Sequence, residues 1–563
     1  MPRPPRTGTT APLCGVAATL VLSVLLCGGV GLADEAHEHG AGADAPPVIL
    51  FDNLGSHHHE ISTQSPQAQA FFDQGLRLMY GFNHEEAIRS FTEAARLDPK
   101  CAMAWWGIAF AYGPNYNLPL DDERNQKAFA AMKKAAALAP KANAKERAYI
   151  AALQKRYSLD PKAERKRLDR AFADEMRQLA KKYPDDPDAR TIFAESMMDL
   201  RPWDLWTADG KPQPGTEEIV ETLEAVLARW PDHPGANHYY IHAIEGSPHP
   251  ERGLPSAKRL ADLVPGAGHL VHMPSHIYIR IGDYEQSTET NRRAIVADRL
   301  YLPSAPTDTT YSMMYYPHNI HFLWASASME GRSADSIAAA HEVVGALTPD
   351  MMRQMTMLEY FSPTLLFALL RFGKWDEALA QPEPPADLAF SNALWHYARG
   401  VAYAGKGDDA AATAELAVVK AAAEKMPGDR IVGDNTPARS LLELAQHTLA
   451  GEIDARERKS DAAITELREA VRLQDGLPYT EPPPWYYPVR QSLGQALFDA
   501  GRYSEAAEVY REDLKRNPLN GWSLYGLARC LEAMGQKADS QQTDANFRQA
   551  WRRADVQLNA SRF

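Results

Sequence analysis

The chain has 563 residues, 45% of them hydrophobic and 24% charged, proportions that exclude a disordered chain or a multi-span membrane protein. Its formal charge of −13, with no basic stripe, excludes nucleic acid as an expected partner, because an acidic surface repels phosphates. Four cysteines in this length exclude a disulfide framework.

Residues 1–33 open with Arg3 and Arg6, followed by an apolar run from Ala11 to Leu32. Gly31-Leu32-Ala33 then offers the small residues that signal peptidase needs, just before Asp34 and Glu35. This predicts a secretory signal peptide and an exported protein, periplasmic or extracellular. The competing reading is a retained anchor, since the run is long for a signal. No later run is of spanning length, so no membrane is expected once the signal is removed. Cys14 and Cys27 leave with it, and Cys101 and Cys530 are expected to be buried apolar residues. Residues 34–60 are expected to be disordered or extended, beginning with the polar, Gly/Ala-rich Asp34–Pro47.

From residue 61 to 200 the pattern is helical. Gln67–Lys100 spaces Phe71, Gly75, Leu78, Ala87, Phe91, Ala94 and Pro99 over 34 residues. Small Gly75 and Ala87 let two helices approach closely, and Pro99 ends the second by removing a donor. A second unit follows, with Trp105, Ile108, Ala109 and Tyr112, then Ala128, Met132, Ala135 and Pro140, after an insert containing Gly113-Pro114-Asn115. Later turns contain Gly282, Gly331, Gly373 and Gly405, and Arg490, Gly494, Ala506, Tyr510 and Pro518 repeat the opening pattern within the region 351–563. No strand-like alternation competes, so no sheet is expected.

This pattern resembles the tetratricopeptide repeat. The resemblance implies an all-α fold, a tetratricopeptide-like helical-hairpin solenoid with loop inserts and about eight to ten hairpins. It also implies a protein or peptide partner in a concave groove, and no activity. Gly81-Phe82-Asn83-His84, Cys101–Gly107 and Gly113–Asn115 are similar to segments of large exported bacterial proteins of this type. Inserts at 202–216, 301–317, 381–387 and 475–488 are rich in Pro and aromatics. Their Trp203, Trp206, Tyr311, Tyr315, Tyr316, Trp485, Tyr486 and Tyr487 either cap the groove or shield helix ends.

The central region, 201–350, is histidine-rich. Nine of 18 histidines fall between His233 and His321. His238, His242 and Glu245 form one cluster, His269, His272 and His276 a second, and His318 and His321 a third. Spacings of three and four put side chains on one helical face. Register places all three clusters on first helices of consecutive hairpins, facing one groove. Neighbouring helices about 10 Å apart allow adjacent clusters, but not all three, to share an ion. Pro274 interrupts the second cluster and is expected to redirect His276. A lone inward histidine is ordinarily a hydrogen-bonded core residue. Seven at ligand spacing predict a site for a transition metal, Zn, Cu or Fe, with Glu245 as a further ligand or a general base. His57, His58 and His59 could reach into this site, but consecutive residues point in different directions, so at most one or two can share it; His84 is expected to cap a helix and His233 to be structural. The expected function is a partner- or ligand-binding groove carrying a histidine-rich metal site. The alternative is a metal-dependent hydrolase or oxidoreductase acting on a small substrate. Neither a zincin motif nor a CxxC pair, phosphate loop or nucleophile elbow is present.

Overall fold

The computed structural model describes residues 46–307, 309–433 and 435–562. The predicted signal peptide and the first part of the 34–60 segment lie outside them. Helices succeed one another from Pro66–Tyr80 to Lys537–Ala550. Links as short as Gly81–Asn83, Gly282–Asp283 and Gly331–Arg332 force consecutive helices into antiparallel hairpins. The expected lack of a sheet meets one small exception, Ile431–Val432 paired antiparallel with Thr436–Pro437. No described helix is long and apolar enough to cross a membrane.

Local chemistry starts and stops these helices. Ser65, Asn83, Asp121, Asn143, Asp186 and Asn520 each accept a backbone N–H of the turn they begin, satisfying donors that a helix N-terminus leaves free. Gly282 and Gly331 end theirs in the left-handed conformation, at φ 81° and 73°. The small residues of the repeat clamp an aromatic ring. A Cβ on Gly75 or on Gly107 would come within 2.6 Å of the Phe91 ring, so both glycines are needed for that ring to lie between two successive helices. Tyr510 is held in the same way between Gly494 and Gly526.

The array does not stay open. Gly266 N–H donates to Asn53 O at 2.8 Å, and Thr310 N–H to Glu85 Oε1 at 3.0 Å, so the first hairpin is tied to the middle of the chain. The last hairpin returns to the middle as well. Trp522 Nε1 donates to Ser328 O at 3.1 Å, and Asp555 accepts from Ser333 and Ala334 N–H at 2.7 and 2.9 Å. The core divides into two main clusters, one running from Leu54 to Tyr315 and one from Ile295 to Leu531. Helix Tyr316–Glu330 contributes Ile320 and Trp324 to the second. The helix faces expected to line an open groove are therefore enclosed, which sets the environment of the histidines.

Candidate metal centre

Helix Pro234–Glu245 carries His238, His242 and Glu245; Gly268–His272 carries His269 and His272; Pro274–Ile281 carries His276; Tyr316–Glu330 carries His318. Pro274 starts a new helix, and His276 turns toward Glu245 and His272. These six imidazoles come together as two neighbouring sets of three, His238/His242/His269 and His272/His276/His318. All but His318 are at most 3% exposed. His238 Nε2 lies 3.2 Å from His269 Nε2. His272 Nε2 lies 2.8 Å from His276 Nε2 and 3.1 Å from His318 Nε2. Nitrogens bound about 2.0–2.1 Å from one tetrahedral ion stand roughly 3.3 Å apart, close to this spacing.

The outer nitrogens fix the tautomers. His238 Nδ1 meets Tyr80 O at 2.6 Å, and His272 Nδ1 meets Asn291 Oδ1 at 2.6 Å. His242 Nδ1 meets Glu245 Oε1 at 2.8 Å, and His276 Nδ1 meets Glu245 Oε2. Carbonyl and carboxylate oxygens only accept, so each of these Nδ1 atoms carries a hydrogen, and in the neutral ring each Nε2 presents a lone pair. Asn291 is itself oriented, since its Nδ2 donates to Ser287 O at 2.7 Å. In the neutral rings the Nε2 atoms of His272 and His276 face each other lone pair to lone pair, and that of His242 is buried without a partner. A proton or a metal ion between them would satisfy that contact. Burial, reinforced by neighbouring imidazoles, holds His238, His269, His272 and His318 well below the usual histidine range, so a proton is disfavoured. Burial pushes the Glu245 carboxyl up, but His276 and His242 outweigh it and hold the group at about 2.

His321 does not join them. Its ring stacks on Trp324 at 4.6 Å and meets Phe361 edge-on at 5.1 Å, and burial holds it at about 3. His318 meets the rings of His272 and Phe322, whereas His321 meets those of Trp324, Tyr360 and Phe361, so the two point to different neighbours.

Of the aromatic rings around the histidines, Trp203 was among those expected to cap the groove or shield helix ends, whereas Phe82 and Phe322 were not legible as site residues. Phe82 stacks on His269 at 5.4 Å and on His242 at 5.9 Å; Phe322 lies 4.9 and 4.8 Å from His272 and His276. Trp203 meets His242 edge-on at 5.8 Å. Phe82 and Trp203 have φ of 55° and 58°, a left-handed backbone that costs a side-chain-bearing residue about 1–2 kcal/mol, and both direct aromatic rings at His242. His84 begins helix His84–Leu97 but leaves the cap to Asn83; burial holds it at about 4.

His57 and His59 share a second network. His57 Nε2, His233 Nε2 and Tyr80 OH reach Asp188 Oδ1 at 2.9, 3.1 and 2.6 Å, and His59 Nδ1 reaches Oδ2 at 2.7 Å. His233 Nδ1 accepts Ala236 N–H, so its Nε2 donates to Asp188 rather than offering a lone pair to an ion. His58 turns away to Asp73.

A cavity of about 1370 Å³ reaches His242 and Glu245. Of the insert aromatics, Trp203, Trp206, Trp485, Tyr486 and Tyr487 line it. Tyr311 and Tyr315 are instead buried, Tyr315 against His269 at 4.8 Å, and Tyr316 bonds Glu342. Burial pushes Glu481, on the cavity wall, up to about 7.

Family models of the tetratricopeptide repeat match residues 72–113, which hold the Phe91 clamp, and 497–543, which hold Tyr510 and Gly526. The chain is a tetratricopeptide-repeat protein. No curated protein matches it. Among solved structures, this tetratricopeptide-repeat chain is similar to a monomeric IFIT1 mutant with Gppp-AAAA, at 12% identity, covering 84% of this chain and 95% of that one with a TM-score of 0.35. A human IFIT1 dimer with m7Gppp-AAAA matches at 12% identity over 87% and 91%, TM-score 0.31. The APC/C hetero-tetramer Cut9-Hcn1 matches at 13% identity over 82% and 76%, TM-score 0.31.

Proposed function

We propose that this tetratricopeptide-repeat protein is an exported metalloprotein, its two three-histidine sets each holding a transition-metal ion beside a ligand-binding cavity. The observation that carries this is the 2.8 Å approach of the Nε2 atoms of His272 and His276, whose Nδ1 hydrogens are already committed to Asn291 and Glu245. Neutral imidazole with its outer N–H held by an acceptor is the usual form of a metal ligand. Glu245 also stands close to His242 and His276, but an ion there would displace both of its hydrogen bonds. Its role is to orient two ligands, one in each set. Export rests on the residue pattern of the first 33 positions.

The test is elemental analysis of purified mature protein after dialysis. About two ions per chain are expected, falling in His242→Ala and in His276→Ala while helical circular dichroism is unchanged. His321→Ala should retain the full complement. A wild type that carries no metal and takes none from Zn, Cu or Fe salts would make the cluster structural and leave a scaffold alone.

A further inference from the structure

We infer that the two histidine sets form a paired copper centre that binds dioxygen between its ions. This rests on the metal reading above and specifies its ions and its small-molecule substrate.

Charge comes first. Each set supplies three neutral imidazoles, and neither includes a thiolate or a directly facing carboxylate. Glu245, the single acid in contact, touches only outer nitrogens of His242 and His276. Two divalent ions would leave a net charge of +3 among nearly inaccessible side chains, at a large desolvation cost. Two copper(I) ions leave +1. Imidazole suits copper, and three ligands leave each ion an open position.

Geometry comes second. The sets face each other across ring separations of 5.5 Å, from His242 to His276, and 5.6 Å, from His269 to His272. Two ions held in such neighbouring sets can share one diatomic molecule, in the manner of two-metal sites about 3.5–4 Å apart. Aromatic rings flank the sets: Phe82 packs on His242 and His269, and Phe322 on His272 and His276. The cavity that reaches His242 and Glu245 gives a small molecule a way in.

The step balances without another reactant. Each copper(I) gives one electron and becomes copper(II). The O–O double bond becomes the single bond of a bridging peroxide, and no proton is taken up. Release of dioxygen reverses both electron transfers.

The experiment loads metal-free protein with copper(I) under anaerobic conditions, counts the copper, then admits oxygen. The expected result is about two coppers per chain and one dioxygen taken up per pair. An intense peroxide-to-copper absorption band should accompany it, with no copper(II) paramagnetic resonance signal because the two spins couple. His318→Ala should retain one copper and give an ordinary copper(II) signal after oxygenation. Two coppers bound with no oxygen uptake, or with a resonance signal accounting for both, would overturn the dioxygen inference and leave the metal reading standing. Failure to bind any metal would overturn both. A coupled pair surviving in His318→Ala would show that the second set is not the one described.

Discussion

At the scale of single residues, the centre depends on where each imidazole keeps its hydrogen, and the groups that decide this range from near to far in sequence: Glu245 is three residues from His242. Tyr80, which takes the Nδ1 hydrogen of His238, is 158 residues upstream. Asp298 acts one layer further out: it accepts from Tyr311 OH and Asn319 Nδ2, both at 2.7 Å, and Tyr311 OH accepts the backbone N–H of His269. Burial pushes Asp298 up to about 7. A carboxyl raised in the fold binds more protons there than in the unfolded chain, so stability falls as pH rises from about 4 through 7. The full span of that loss is on the order of 4 kcal/mol. Asp298→Asn keeps the shape and removes the titration. Its thermal stability relative to wild type should rise between pH 5 and pH 8, as measured by melting at each pH. Parallel pH profiles for the two proteins would contradict this.

At the scale of elements, the ring clamps explain why the repeat is recognisable only near its ends. Gly75, Phe91 and Gly107 satisfy one packing rule together, as do Gly494, Tyr510 and Gly526, so the pattern is visible there as spacing. Gly75→Ala should destabilise the first hairpin by about 1–3 kcal/mol, because its methyl would press on the face of Phe91. A denaturation midpoint equal to that of wild type would refute the clamp. The histidine faces were legible for the same reason: periods of three and four survive in any helix. Which way His318 and His321 point was not, because it depends on partners distant in sequence, His272 for one and Phe361 for the other. Tyr80, Phe82, Asp188 and Glu481 carry no periodic signal and reach their places only through long-range packing. The pairing of His57 with His59 did leave a trace, since alternate residues outside a helix can share a side.

At the scale of the whole array, the last hairpin returns to the middle of the chain. In an open repeat protein each unit touches only its neighbours, so the ends fray first and unfolding spreads inward in steps. Here Asp555 holds Ser333 and Ala334, and Arg553 holds Glu289 at 2.6 Å, across more than two hundred residues of chain. Terminal units then cannot melt without releasing central ones. Unfolding in urea should be a single event, with tryptophan fluorescence and far-ultraviolet circular dichroism giving coincident curves. Asp555→Ala combined with Arg553→Ala should separate the two curves and flatten the transition. A stepwise wild type would show that the closing contacts bear no load. If they do bear it, the protein has traded the modular tolerance of a repeat array, in which units can be lost or added one at a time, for the all-or-none behaviour of a compact enzyme domain.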